Sequence, residues 1–234
     1  MNKILSHTTC FPTITAIVLS TILTGCVSLS PDGAVTSTSR DIPAGIKDAL
    51  IQGIDRGAAS ASAVDGFYKN DRIKIPLPPD VQRVERTLRQ MGLGSQVDNA
   101  VLTLNRAAEQ AAAEAKPIFV KAIRQMTFQD AVSILNGDQH AATRYLQNTT
   151  GDELTARFLP IVDNALSKTG ATRVYGDLAR AFNAIPLTGR SIDTDLNGYV
   201  TGKTLDGLFY LVAEEEARIR ADPLARTTAL MRRV

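Results

Sequence analysis

The chain has 234 residues, 44% of them hydrophobic and 21% charged, a globular balance that allows a packed core without staples. Its 26 basic and 24 acidic residues nearly cancel, which predicts no bulk attraction to nucleic acid or anionic lipid. Aromatic residues are only 5%, with no Trp, and this argues against a base- or sugar-stacking surface.

Lys3 is followed by an apolar run, Ile14 to Leu23, that closes on Leu23-Thr24-Gly25-Cys26. A charged start, an apolar run of about 7–15 residues and small residues at the cut make a secretory signal. With cysteine directly after the last small residue, the pattern resembles the lipobox of bacterial lipoproteins, whose cysteine is acylated and becomes the first residue. The expected organisation is a signal peptide at 1–25, a flexible Ser/Thr-rich tether at 26–42 and one helical domain at 43–234. A plain signal peptide cut near Gly25 is the alternative. A membrane-spanning helix is disfavoured, because the run carries Thr13, Thr15, Ser20 and Thr21, and a span needs about 20 mostly apolar residues. Val27, next to the cysteine, points to the outer membrane, with the domain facing the periplasm. Cys10 would leave with the signal and Cys26 would be acylated, so no internal disulfide is expected.

From Pro43 to Ala63, Ile46, Leu50, Ile54 and Ala58 fall four apart on one helical face. Gly45, Gly53 and Gly57 weaken that helix but would let another approach closely. Asp65-Gly66-Phe67 marks a turn. Ile73 to Pro79 alternates apolar residues with prolines, so it should be an extended strap across the helices. Asp80 is read as the cap of a helix burying Val81, Val84, Leu88 and Met91, stopped by Gly92 and Gly94.

Ser95 is read as the cap of a longer helix with Val97, Val101, Leu104, Ala108, Ala111 and Ala115 on its apolar face. Pro117 gives it a kink or a fresh start. Thr127 and Asp130 form a capping-box pattern for a short helix ending at Asn136-Gly137. A helix over Ala141 to Gln147 follows, and a second capping-box pattern, Thr150 with Glu153, opens another that Gly170 closes. Thr172 to Phe182 is a further helix with Val174, Tyr175, Leu178 and Phe182. Residues 183–198 form the longest loop. With no sustained period-two apolar run, the expected fold is all-α: a compact multi-helix bundle crossed by a Pro-rich strap.

The most regular apolar stripe is Leu205, Leu208, Phe209, Val212 and Ile219, continued by Glu216. Glu214 with Arg218, and Glu216 with Arg220, stand in the favoured i,i+4 order. Gly207 beside Asp206 suggests close packing, with the Asp206 carboxylate bonded to a neighbouring helix end or arginine. Asp222 and Pro223 open a last helix with Arg232 and Arg233 near its end.

Several segments, in order, resemble the bacterial domain of unknown function 4197 family. They include Ile75-Pro76-Leu77-Pro78, Asn105-Arg106-Ala107-Ala108-Glu109, Phe119-Val120-Lys121-Ala122-Ile123 and Leu205-Asp206-Gly207-Leu208-Phe209, with Asp222-Pro223 near the end. The resemblance covers about residues 45–234. It implies an exported, mostly helical domain and assigns no activity, so no functional residue carries over. Gly202 departs from the polar residue the family tends to have there.

Asp193-x-Asp195-x-Asn197-Gly198 matches the opening of an EF-hand loop. The twelfth position is Thr204 where a bidentate glutamate belongs, so at best calcium would bind weakly, and an Asx-rich turn into a helix at Thr201 explains the same residues. His140 is the sole histidine after residue 25, too few for zinc or a Ser-His-Asp site. No dinucleotide or P-loop motif occurs. No cofactor and no metal are expected. The expected function is binding or scaffolding of a protein, a peptide or a small apolar ligand, without catalysis. The face Asp206, Tyr210, Glu214 and Arg218 is a candidate. The competing reading is an envelope hydrolase using Asp206 with Glu214, Glu215 or Glu216.

Overall fold

A computed structural model of the protein describes residues 41–183 and 193–221. The signal peptide, Cys26, the tether up to Arg40, residues 184–192 and the expected last helix from Asp222 lie outside them. So do the side chains of Val84, Leu88, Leu178 and Phe182.

Among the described residues there are eight α-helices and no strand: α1 (Asp41–Ser62), α2 (Pro79–Gln90), α3 (Gly94–Ala112), α4 (Ala115–Gln125), α5 (Phe128–Leu135), α6 (Ala141–Lys168), α7 (Ala171–Asn183) and α8 (Leu196–Ala221). The fold is all-α, as the helical periodicity predicts. Helix α8 is the central element and packs against α1, α3, α6 and α7. Leu208, Phe209, Leu211 and Val212 on it are buried. Phe209 meets Phe119 of α4 edge to face, with ring centroids 5.7 Å apart.

The glycines of α1 work as their spacing suggests. A Cβ at Gly57 would lie 3.6 Å from the backbone of Leu211 and Val212, and one at Gly53 3.6 Å from the Glu215 Cβ. Ala107, Ala108, Ala111 and Ala112 of α3 and Ala115 of α4 are fully buried, which brings backbones together in the same way.

Residues 74–78 belong to no helix, and burial alternates from Ile73 to Leu77, with Ile73, Ile75 and Leu77 buried and Lys74 and Pro76 exposed, as expected of a strap. Asn105 of α3 fastens it. The Asn105 Nδ2 donates to the Ile75 carbonyl at 2.8 Å and its Oδ1 accepts the Ile75 N–H at 2.9 Å. One amide thus completes both backbone bonds of Ile75, as a neighbouring strand would. Tyr199 of α8 donates to the Pro76 carbonyl at 3.1 Å.

The strap also explains Gly207. A Cβ there would stand 2.7 Å from the Phe67 ring and 3.0 Å from the Ile73 Cβ. The close packing is real, but Asp206 takes no part in it: its side chain is 69% exposed and pairs with Lys203, one turn back, at 2.9 Å.

Local signals succeed where the chain nearby decides the outcome. At α5, Thr127 Oγ1 accepts the Asp130 N–H and Asp130 accepts the Thr127 N–H, and that backbone bond draws the Asp130 carboxyl below its usual range. Pro117 falls in the first turn of α4, where its missing N–H costs nothing, so the fresh start is what occurs.

Other boundaries differ. Helix α1 starts at Asp41, two residues inside the expected tether. Pro79 takes the first position of α2, placing Asp80 within its first turn, and Met91 lies past the helix end and is 69% exposed. Leu93 precedes α3, and the Ser95 hydroxyl bonds the Gln96 side chain and caps nothing. Helix α6 is one helix of 28 residues and does not break at Thr150. The Thr150 hydroxyl donates to the Leu146 carbonyl at 2.6 Å, and Glu153 pairs with Lys121, so no capping box forms. Leu146, Thr150, Leu154, Phe158, Val162 and Leu166 make one unbroken buried stripe that holds the helix together. Val174 is exposed, while its neighbour Tyr175 is buried.

Gly207→Ala should cost about 1–3 kcal/mol by overpacking, and Phe209→Ala about 3–5 kcal/mol by leaving a cavity. Denaturant melts of the two variants measure both. A neutral Gly207→Ala would mean that Phe67 and Ile73 move aside freely.

Candidate functional site

Helices α1, α5 and α8 leave a cleft of about 100 Å³ between them. Ile46, Leu50 and Ile54 of α1, Ile134 and Leu135 of α5, and Val212 and Ile219 of α8 give it apolar walls, and Gly45, Ala49 and Gly53 supply the room. Ala142, in the first turn of α6, closes one side with Glu216 and Arg220.

Glu216 is 7% exposed, on the stripe that otherwise carries apolar residues. Its Oε1 accepts the Ala142 N–H at 3.0 Å, and its Oε2 accepts the N–H and the hydroxyl of Thr143, each at 2.8 Å. Those N–H groups belong to the first turn of α6 and have no partner within that helix. Arg220 donates to Oε1 through Nε at 3.0 Å and Nη2 at 2.8 Å, and Nη2 also donates to the Ile134 carbonyl at the end of α5. The carboxylate thus sits at the positive end of α6 and the guanidinium at the negative end of α5. A similar bond joins Lys47 of α1 to the Arg124 carbonyl in the last turn of α4, at 3.0 Å.

Glu109 of α3 forms a second buried clamp and is 4% exposed. Its Oε1 accepts the N–H groups of Phe67 and Tyr68 at 3.1 and 3.3 Å, and its Oε2 accepts from Arg106 at 2.5 Å. Arg106 also reaches Asp65 at 2.6 Å. Asp65 has a φ of 69°, the left-handed region, and the bonds from Lys69 and Arg106 hold its carboxyl below the usual range. Asn105, Arg106 and Glu109 therefore fix the turn and the strap.

The sequence-derived candidates fall elsewhere. Asp206, Tyr210, Glu214 and Arg218 lie along the outer side of α8, four residues apart, with Asp206, Glu214 and Arg218 exposed and Tyr210 half-buried. Tyr210 donates to Glu214 at 2.8 Å, a bond that raises the Tyr210 hydroxyl above its ordinary range. The expected Glu214–Arg218 pair is replaced: Arg218 binds Glu215, which also accepts from Arg56 of α1 at 2.9 Å. The reason is that Glu215 faces α1, where two arginines converge, whereas Glu214 faces Tyr210. The Glu216–Arg220 pair forms as expected. Glu214, Glu215 and Glu216 thus point in three directions.

Asp193 and Asp195 act as backbone caps. Asp193 Oδ1 accepts the Asp195 N–H at 2.9 Å, and Asp195 Oδ1 accepts the Gly198 N–H at 2.8 Å, so α8 starts at Leu196 and not at Thr201. Asn197 lies in its first turn, donating to Asp163 at 2.7 Å and accepting from Thr172 at 3.1 Å. Among the described residues no three His, Cys, Asp or Glu side chains gather as metal ligands, and no helix is long and apolar enough to cross a membrane.

The family described as protein of unknown function, DUF4197, matches residues 36–234. The chain belongs to the DUF4197 family. No curated protein and no solved structure matches it. In this DUF4197 domain the segment from Asn105 to Glu109 fastens the turn at Phe67 and the strap at Ile75. The cleft escaped the sequence reading, although Gly45 and Gly53 on α1 and a glutamate on the apolar stripe of α8 were its visible traces.

Replacing Glu216 with Gln keeps the shape but removes the charge that faces Arg220 and the α6 N–H groups. The variant should lose about 3 kcal/mol in denaturant melts, the lower end for a broken buried pair because Arg220 keeps some contact with water. Glu214→Gln, on the exposed side, should change stability by no more than about 0.5 kcal/mol.

Proposed function

We propose that this DUF4197 domain is the periplasm-facing part of a lipoprotein, anchored at the outer membrane through acylated Cys26, and that it binds a ligand without catalysing a reaction. The ligand is a small apolar molecule, or the apolar end of a larger one, seated in the cleft between α1, α5 and α8. One observation carries this reading. The cleft walls are apolar, and the ionisable groups at its edge, Glu216 and Arg220, are already spent on helix ends and on each other. The oxygens of Glu216 are already occupied by these donors, and an apolar recess of this order of size holds one ring or a short alkyl end.

A peptide or protein partner would use the same recess for a single apolar side chain. The hydrolase reading draws less support: Asp206 is tied to Lys203, Glu214 to Tyr210 and Glu215 to two arginines. The anchoring part of the proposal rests on Leu23-Thr24-Gly25-Cys26 alone.

Two measurements test the proposal. Cys26→Ser should move the protein out of the membrane fraction or leave an unprocessed precursor, and an unmodified Cys26 inside a secreted chain would end the anchoring idea. The full chain should bind N-phenyl-1-naphthylamine with a rise in fluorescence, and Ala49→Phe, which fills the cleft, should weaken that binding at least tenfold. Unchanged binding in Ala49→Phe would show that the cleft is not the ligand site.

A further inference from the structure

We infer that the ligand of this cleft is a single-chain amphiphile whose anionic head, a carboxylate or a phosphate, is taken by Arg220. The inference rests on the proposed ligand site and names the chemistry of what fills it.

The head follows from the polar groups at the cleft. Glu216 and Arg220 carry the only polar side chains among the residues that line it. The Glu216 oxygens accept from Ala142, from the N–H and hydroxyl of Thr143 and from Arg220, so its acceptors are filled. Arg220 is filled on one side only. Its Nε and Nη2 reach Glu216 and the Ile134 carbonyl, whereas Nη1 donates to nothing among the described residues. That nitrogen is not among the buried atoms left without a partner, and the side chain is 28% exposed, so a ligand can reach it. The neighbouring acid Glu215 is already matched by Arg56 and Arg218.

The edge of the cleft therefore offers side-chain donors and no free side-chain acceptor. A cationic head finds nothing there to accept its hydrogens. An anionic oxygen gains a charge-assisted bond, roughly twice as strong as the bond a neutral alcohol would make.

The tail follows from room and from a surface that leads out of the cleft. About 100 Å³ takes roughly three or four carbon atoms, on the measure of roughly 30 Å³ for a water molecule, so one chain enters and two do not. A longer chain has to leave the cleft, and α5 carries a path for it. Leu135 lines the cleft, and Val132 and Phe128 follow at helical spacing back along the same side of α5. Leu135 and Val132 are half-buried, and Phe128 is 50% exposed. The strip is roughly 10 Å long. It starts beside the Ile134 carbonyl that Arg220 binds, so the sites for head and tail adjoin.

The test uses the full chain with bound N-phenyl-1-naphthylamine, displaced by twelve-carbon amphiphiles below their micelle concentrations. Dodecanoate and dodecyl phosphate should displace the probe at concentrations about tenfold lower than 1-dodecanol, with dodecyltrimethylammonium weakest. Whichever anion is tighter tells a carboxylate head from a phosphate head. Arg220→Lys keeps the charge but cannot hold Glu216 and still offer a second edge. In that variant the anions should lose most of their advantage while 1-dodecanol binds as before. Phe128→Ser, at an exposed position, should weaken dodecanoate and 1-dodecanol alike, by about fivefold.

Equal displacement by dodecanoate and 1-dodecanol, lost in Ala49→Phe, would overturn the inference and leave an apolar ligand site standing. Tightest displacement by dodecyltrimethylammonium would overturn it as well and give the edge to Glu216. A preference for anions that survives Ala49→Phe would put them elsewhere and overturn it too. If neither probe nor amphiphile binds, the ligand reading falls and this inference with it. Should Arg220→Lys fail to fold, the ranking of head groups in the unaltered chain decides the matter.

Discussion

Helix α6 begins without a cap of its own, since His140 precedes it and offers no side-chain bond to its first turn. Glu216, 74 positions away from Ala142, supplies what is missing. The longest helix is thereby oriented by a side chain of the central one, and Arg220 extends the same contact to the end of α5. Burying a carboxylate is costly unless its partners are complete, and here two backbone N–H groups, a hydroxyl and a guanidinium complete them. Beyond the apolar packing of α6 on α8, this one pair of ions ties the start of α6 and the end of α5 to α8 at the edge of the cleft.

The clamp at Glu109 repeats the solution on the other side of α8. In both cases a buried glutamate takes two consecutive backbone N–H groups, and an arginine one turn away on the same helix balances its charge. In both, the carboxylate oxygens are occupied by these donors. The polar groups most deeply placed in this fold are thus its fastenings. The cleft beside Glu216 has mainly apolar walls, and the proposed ligand site rests on that.

What the sequence disclosed followed the range of each interaction. The α5 capping box, the Gly170 stop at a φ of 73° and the non-helical strap, which ends one residue before the expected Pro79, were legible because each is settled within a few residues. The same kind of pattern misled at Thr150, where a stripe running from Leu146 to Leu166 outweighs a local cap. At Asp193 and Asp195 an Asx turn and a calcium loop share an opening, and here both side chains accept backbone N–H groups at the start of α8. Gly207 announced close packing correctly, but the neighbour responsible was Phe67, not Asp206. For Glu216, a charge on an apolar stripe was a visible signal. Its partner could not be named without knowing which helix starts beside α8.

The pairing of α1 with α8 has a consequence for how the molecule comes into being. The two surfaces that meet, around Gly57 and around Leu211, lie far apart along the chain. At about 5–20 residues per second, the roughly 150 residues between them take on the order of 8–30 s to synthesise. Throughout that interval the glycine row of α1 has no α8 to receive it. Contacts this distant also make closure of the core a late and slow event compared with helix formation. Helix α1 can meet α3, α4 and α5 before that, but its pairing with α8 has to wait until nearly the whole described chain has been made.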